Sequence, residues 1–190
     1  MAAEIIPLDL SRFFEHHPTL ETERLLLRPH AMADADDLFE AFRDPETVRY
    51  GPHEPARTIR DAEAMIEIVA KNFELQKTIR FGFELKSEHK TIGWCDLHHI
   101  APEHHRLELG YSLSPRYCGK GYMTEAVREI ICFALEDMGF HRIEASCDPR
   151  NVKSIRVAER CGMMHEATFR ENEICKGEWV SNAIYAILRG

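Results

Sequence analysis

The chain has 190 residues, a formal net charge of −8 at pH 7, 44% hydrophobic residues and 29% charged residues. This is the composition of one globular domain with a sizeable core, and it excludes a disordered or fibrous chain. No apolar run approaches the roughly 20 residues that a membrane span needs, and no secretory signal is visible at the N-terminus. The acidic balance argues against nucleic acid and membrane surfaces as partners, and it suits a cationic substrate such as an amine.

Six cysteines and eleven histidines raise the question of disulfides and metals. No two cysteines form a C-x-x-C pair, so we expect reduced thiols in a cytoplasmic protein. Three histidine pairs are adjacent in sequence: His16-His17, His98-His99 and His104-His105. Because adjacent residues of a strand point to opposite faces, we expect these pairs to form no metal site.

The first half of the chain predicts a strand, two helices and three further strands. Residues 1–19 are expected to be an N-terminal extension with a short helix around 10–14, and residues 20–190 a single domain. The helix at 35–42, with Asp34 as its candidate N-cap, and the helix at about 58–76 each have an apolar stripe at helical spacing. The expected strands are 24–28, 79–85, 91–97 and 106–113, the second with one buried face.

The second half predicts alternating helices and strands. A helix begins after Gly121 and ends before Gly139, and another covers 151–161. Strands are expected at 142–147, 163–169 and 183–188. Because antiparallel hairpins and strand–helix–strand units are mixed, the order predicts an α/β (α+β mixed) fold with one mixed sheet and helices on both faces.

The sharpest motif is Arg116-x-x-Gly119-x-Gly121 between a strand and a helix. Unpaired N–H groups at a helix N-terminus attract phosphate, glycines let the backbone approach an anion closely, and Arg116 and Lys120 add positive charge. These features predict a diphosphate site. The dinucleotide and P-loop fingerprints are both absent, and an ordinary glycine turn at a helix start remains an alternative.

This motif resembles motif A of the GNAT superfamily, the acetyl-CoA-dependent N-acetyltransferases. Residues 20–29 are similar to the opening of its RimJ/RimL-type branch, which includes ribosomal-protein N-terminal acetyltransferases. Asn151-x-x-Ser154, and Gly177-Glu178-Trp179 followed by 183–188, resemble later parts of the same branch. The resemblance implies a GNAT-like acyl-CoA N-acyltransferase fold with a central, mostly antiparallel mixed sheet of about seven strands, acetyl-CoA as cosubstrate and no metal.

The resemblance also implies which residues bind acetyl-CoA. A bulge at 109–113 would separate the fourth strand from the fifth, so that backbone groups there meet the pantetheine and acetyl group. The implied cofactor-binding residues are Tyr111, Ser112, Leu113, Arg116, Tyr117, Cys118, Gly119, Lys120, Gly121, Tyr122, Met123, Asn151 and Ser154.

The implied reaction is direct attack of an amine on the thioester, which requires removal of a proton from an ammonium group. Glu108 is the first candidate for the catalytic base; a glutamate that is solvated or salt-bridged to Arg106 is the alternative, and Asp96, His98 and His104 are weaker candidates. Ser154 is the candidate catalytic group that protonates the thiolate. Many family members carry a tyrosine acid at the position occupied here by Ala158, and Asn151 is also a natural helix cap.

The acceptor is left open between a protein N-terminal α-amine and a small amine such as a polyamine, an amino acid or an antibiotic. The region 45–55 is expected to border its pocket. Two other classes stay open: a non-catalytic acyl-CoA-binding module, suggested by the missing tyrosine, and a histidine-rich metal-binding protein. A homodimer is compatible with the sequence.

Overall fold

An eight-stranded mixed sheet organises the computed structural model, which describes residues 6–190. The strands are β1 (Leu20–Glu21), β2 (Leu25–Arg28), β3 (Ile79–Leu85), β4 (Lys90–Ala101), β5 (Arg106–Leu113), β6 (Arg142–Cys147), β7 (Met164–Cys175) and β8 (Glu178–Leu188). The helices are α1 (Ser11–Glu15), α2 (Ala35–Phe42), α3 (Pro45–Val48), α4 (Ile59–Glu74), α5 (Tyr122–Glu136) and α6 (Val152–Arg160). Residues 1–5, the start of the expected N-terminal extension, lie outside the described residues.

The strand order is β1-β2-β3-β4-β5-β6-β8-β7, and every neighbouring pair is antiparallel except β5 and β6. The predicted mixed, mostly antiparallel sheet is therefore confirmed. It has eight strands instead of about seven because the two-residue β1 pairs with β2. Within the described residues, no helix is long and apolar enough to cross a membrane.

The final hairpin is much longer than the sequence predicted. Strands were expected at 163–169 and 183–188, but β7 and β8 continue to a turn at Lys176 and Gly177. The intervening residues are mostly polar and exposed, so they show no apolar alternation from which a strand could be predicted.

Helices cover both faces of the sheet, as predicted. On one face α5 packs on the odd-numbered residues of the central strands, and Phe13 of α1 meets Phe133 edge-on at 5.5 Å. On the other face α2 and α4 form a second apolar cluster against Trp94. Because of this second layer β3 is buried on both faces, and the expectation of one buried face was wrong.

Two local features at the start of this second layer differ from the predictions. Asp34 does not cap α2 with its side chain; its carboxylate accepts from the Ala31 amide at 2.7 Å and pairs with Arg28 at 2.7 Å. The short helix α3 was not predicted. It begins at Pro45 because the Asp44 carboxylate caps it by accepting from the Glu46 amide at 2.9 Å.

Candidate active site

The glycine motif forms a loop of unpaired backbone amides at the start of α5. Gly119 and Gly121 have φ values of +79° and +84°, which residues with side chains rarely adopt. Within the part of the chain that the structure describes, none of the amides of 119–124 has an acceptor, and the first paired amide is that of Glu125, which donates to the Gly121 carbonyl at 3.0 Å. Residues 118–121 are exposed, so an anion can reach these donors.

The side chains of the loop divide into exposed cations and groups that hold the loop in place. Arg116 forms an ion pair with Glu40, and Lys120 lies 5.3 Å above the ring of Tyr117. The Tyr117 hydroxyl donates to Glu88 at 2.7 Å. Burial and the Glu88 carboxylate raise the pKa of Tyr117 to about 12, so this hydroxyl stays protonated.

Three of the predicted ligands contribute less than the sequence suggested. The amides of Tyr117 and Cys118 are already paired, with the carbonyls of Ser114 and Pro115. The side chain of Met123 is buried in the core, so only its amide faces the loop. The amide donors therefore begin at Gly119.

Arg24 supports the loop from the other side, and the sequence did not single it out as a site residue. It pairs with Glu125 at 2.6 Å, donates to the Lys120 carbonyl at 3.0 Å and lies 4.4 Å above the ring of Tyr122. Thr22 also donates to Glu125 at 2.6 Å. These contacts fasten the beginning of α5 to the turn between β1 and β2.

The parallel strands β5 and β6 separate shortly after they begin. Their register runs from Arg106 with Arg142 to Glu108 with Glu144 and goes no further. The predicted separation along 109–113 is therefore present. The bulge expected in this strand lies instead in the neighbouring strand, between His98 and Ala101 of β4.

The separation leaves backbone groups of β5 without a partner strand. The Ser114 amide donates to the Ile92 carbonyl of β4 at 2.8 Å. Because successive amides of a strand point to alternate sides, the amides of Tyr111 and Leu113 point away from β4, towards the opening beside β6. The Ser112 amide points to β4 instead. Among the predicted backbone donors, Tyr111 and Leu113 therefore face the opening and Ser112 does not.

The first turn of α6 lies against this opening. The Asn151 side chain accepts from the Ser154 amide at 3.1 Å and caps the helix. The phenol of Tyr111 donates to the Ser154 carbonyl at 2.9 Å, and burial raises its pKa well above the usual range. Ala158, one turn later, is fully buried in the core and offers no proton.

Glu108 lies on the opposite face of β5, next to a pair of histidines. Its carboxylate meets Nδ1 of His99 at 2.9 Å, and its side chain keeps 22% of its surface exposed. The rings of His98 and His99 lie 4.7 Å apart, because His99 takes a left-handed φ of +45°. The expectation that adjacent histidines diverge was wrong at this pair. The salt bridge expected between Glu108 and Arg106 is replaced by one between Arg106 and Glu144.

The other candidate bases are placed differently. Arg80 holds Asp96 through two hydrogen bonds of 2.5 Å and stacks on the ring of Trp94 at 4.1 Å. Asp96 is thus an ion-paired group that stabilises β4 next to Glu108. His104 lies in the turn after β4, 3.9 Å from Glu103, and belongs to no cluster with Glu108.

The turn of the last hairpin closes over the region expected to border the acceptor pocket. Lys176 donates to the Val48 carbonyl at 2.8 Å, and the Cys175 thiol lies 3.5 Å from the Gly51 carbonyl. The loop between α3 and α4 is therefore joined to the β7–β8 turn.

A parallel strand pair that opens beside a glycine loop of free amides is the architecture of an acyl-CoA-dependent acyltransferase. The profile of the Acetyltransferase (GNAT) domain matches residues 24–164. The chain belongs to the GNAT family of acetyl-CoA-dependent N-acetyltransferases.

Three relatives illustrate the range of similarity. An uncharacterized N-acetyltransferase, p20, of Bacillus licheniformis is 32% identical over 90% of this chain and 96% of its own. A crystal structure of a GNAT acetyltransferase from Bacillus anthracis superimposes with a TM-score of 0.80 at 31% identity, over 90% of this chain and 99% of the other. The ribosomal protein uS5-alanine N-acetyltransferase of Escherichia coli is 25% identical over 88% of this chain and 89% of its own.

Proposed function

We propose that this protein transfers the acetyl group of acetyl-CoA to a primary amine by direct attack of the amine on the thioester. The observation that carries the proposal is the run of six amides at 119–124, unpaired among the residues that the structure describes, next to the open edge of β5. The first feature binds a diphosphate and the second admits an extended pantetheine chain.

The glycine loop is proposed to bind the diphosphate of the cosubstrate. Its amides supply directed donors, and the partial positive charge at the N-terminus of α5 adds to them. Lys120 contributes exposed positive charge in a chain whose net charge is −8, and the guanidinium of Arg116, paired with Glu40, lies beside it. Gly121, Tyr122 and Met123 act through their amides, whereas Cys118 shapes the turn.

The amides of Tyr111 and Leu113 are proposed to stabilise the oxyanion that forms on the acetyl carbonyl. Both point into the opening and are fixed by the β4–β5 ladder, so no reorganisation is needed when the charge develops. Ser112 contributes by holding that ladder.

Glu108 is proposed to act as the catalytic base. It accepts one proton from the ammonium acceptor, directly or through water, and the freed nitrogen lone pair attacks the acetyl carbon. When the tetrahedral intermediate collapses, the carbon–sulfur bond breaks and a thiolate leaves. The nitrogen gives up its second proton to water. The Ser154 hydroxyl, positioned by Asn151 and assisted by the neighbouring Tyr111 phenol, is the proposed donor of a proton to the thiolate, and it regains a proton from water. None of these steps uses a metal.

The acceptor is proposed to be a protein N-terminal α-amine, and the E. coli relative, whose name makes it an N-acetyltransferase of alanine in ribosomal protein uS5, supports a protein acceptor. An α-amine has a pKa near 8, about two units below that of an alkylamine, so a carboxylate base deprotonates it more readily. A small amine is the other acceptor class.

The test combines acetyl-CoA binding with thiol release on an acceptor panel. Alanine- and serine-starting peptides, spermidine and a blocked peptide would be compared at equal concentration. We expect release with the free peptides and none with the blocked one. Turnover with spermidine alone would move the proposal to small amines, tight binding without any turnover would indicate a non-catalytic acyl-CoA-binding module, and no binding would refute the function.

The activity is assigned to one domain covering residues 20–190. The six cysteines are all free thiols, which fits a reducing compartment, and the cytoplasm is the proposed location. Light scattering at two protein concentrations would test the homodimer.

A further inference from the structure

A bulge in β4 brings two adjacent histidines to the same side of the sheet. The register between β4 and β5 shifts between His98 and Ala101, and His99 has a φ of +45°. In a regular strand these two side chains would point to opposite faces. Here their ring planes cross at 77°, with the ring centroids 4.7 Å apart.

The third member of the cluster is Glu108 on the neighbouring strand. Glu108 stands directly across the ladder from His98, and its Oε2 lies 2.9 Å from Nδ1 of His99. One ligand atom from each side chain lies within 4.8 Å of the other two. Binding one ion requires rotations of these side chains that bring all three atoms to bond lengths of about 2.0–2.2 Å.

The backbone holds this arrangement in place before any ligand arrives. His98 and Glu108 are fixed by paired strands, and the His98 ring packs over Gly110, where an added Cβ would come within 3.3 Å of Nε2. The side chain of His99 is 78% exposed, which gives an ion access from solvent.

We propose that His98, His99 and Glu108 bind one divalent transition-metal ion, with zinc as the preferred ion. Two imidazoles and one carboxylate form the donor set of zinc sites that keep a fourth position for water. Imidazole ligands favour zinc, copper and nickel, whereas magnesium and calcium prefer oxygen ligands alone.

The binding itself does not depend on the proposed function, but its consequence does. An ion coordinated by Glu108 occupies the carboxylate that is proposed to take the proton of the amine. Zinc therefore inhibits acetyl transfer, and a chelator restores it. Magnesium has neither effect.

The experiment is a calorimetric zinc titration of the metal-free full chain, prepared without a histidine tag. We expect one saturable equivalent, and the visible absorption of bound Co²⁺ would report the ligand geometry. The variant His99→Asn keeps a residue that tolerates a left-handed backbone and removes one ligand; Glu108→Gln removes another. Each is expected to weaken binding by at least about 100-fold.

His89→Asn is the matched control. Like His99, His89 is exposed, has a left-handed φ of +50° and has a glutamate, Glu84, 3.3 Å from its Nδ1. Unlike His99, it belongs to no group of three potential ligands among the described residues. Its affinity for zinc should equal that of the unmodified chain. Unfolding midpoints would show that all variants fold.

Two results would overturn the site: no saturable first equivalent, or zinc affinity that His99→Asn leaves unchanged, which would assign the ion to another group such as a thiol. Zinc binding in a chain that acetylates nothing would uphold the site and remove the proposed function. An active enzyme that binds no zinc would uphold the proposed function and remove the site, and saturable zinc binding without inhibition would uphold the site and remove Glu108 as the base.

Discussion

The phenol of Tyr111 donates a 2.9 Å hydrogen bond to the backbone carbonyl of Ser154 and thereby ties β5 to the first turn of α6. The bond spans the side of β5 from which β6 has separated. It places a protonated hydroxyl one helical turn from Ala158, where the family's usual tyrosine acid is missing.

Replacing Tyr111 by phenylalanine should lower kcat by roughly tenfold and leave the Kd for acetyl-CoA within about twofold. One hydrogen bond is worth about 1 kcal/mol, and the lost donor matters chiefly when negative charge reaches the sulfur. Steady-state kinetics and calorimetry would measure the two constants. Tyr185→Phe is the control, because Tyr185 is a buried strand tyrosine on β8, away from this opening. Equal losses in both variants would contradict a catalytic role for the Tyr111 phenol.

Gly119→Asp should weaken acetyl-CoA binding by at least about tenfold, because it places a carboxylate among the amides proposed to bind the diphosphate. Gly177→Asp is a closely matched control. The two glycines have φ values of +79° and +82°, and an added Cβ would meet nothing within 4 Å at either. The backbone strain is therefore similar, and only the position differs. Equilibrium binding to both variants would decide; matching affinities would remove the loop from the binding site.

Glu108→Gln should flatten the acidic limb of the pH profile of kcat/KM and lower its plateau by about 100-fold, the usual contribution of a general base. Glu144→Gln is the control, since Glu144 is the parallel-strand partner of Glu108 and pairs with Arg142 at 2.6 Å. An unaltered profile in Glu108→Gln would show that another group takes the proton.

The stability of the fold should fall below about pH 6.5 because of His30. Its side chain is 1% exposed and lies over Gly82, and neither ring nitrogen has a hydrogen-bond partner among residues 6–190. Burial, and secondarily the positive charge of Arg80, lower the pKa of His30 to about 4. The nearby Asp34 carboxylate, 3.9 Å away, opposes this shift but does not cancel it.

The direction follows from proton binding. Between pH 6.5 and 4 the unfolded chain binds a proton at His30 and the folded chain does not, so the free energy of unfolding decreases as pH falls, by about 3 kcal/mol in total. His30→Leu should flatten this part of the stability–pH curve, measured by urea unfolding. The exposed His89→Gln should leave its slope unchanged, and a slope that persists in His30→Leu would assign the pH dependence elsewhere.

Much of the architecture could be predicted because buried apolar residues recur with the period of a helix or of a strand. The bounds of β5 and β6 agree with the sequence pattern to the residue, and α5 and α6 begin within a residue of the predicted starts. The glycine loop could be predicted for a different reason. A left-handed backbone strongly favours glycine, so glycines just before a predicted helix indicate such a loop from the sequence alone.

The parts that escaped prediction depend on contacts between distant residues. The left-handed conformation at His99 occurs at a residue other than glycine, so the sequence does not indicate it. The convergence of two histidines on Glu108 is therefore visible only in the folded sheet. Likewise, the pairing of Asp34 with Arg28 and the support of the loop by Arg24 are tertiary ion pairs. Local preference for a helix cap gave the wrong partner for Asp34.

The contacts between the last hairpin and the loop after α3 have a consequence for divergence. Lys176 and Cys175 meet carbonyl oxygens of Val48 and Gly51, and every amino acid carries such an oxygen. The side chains of the loop after α3 are therefore free to change from one descendant to another, as long as Lys176 and Cys175 keep these contacts. In the proposed acceptor pocket, selectivity for the incoming amine can therefore change while these two contacts are kept.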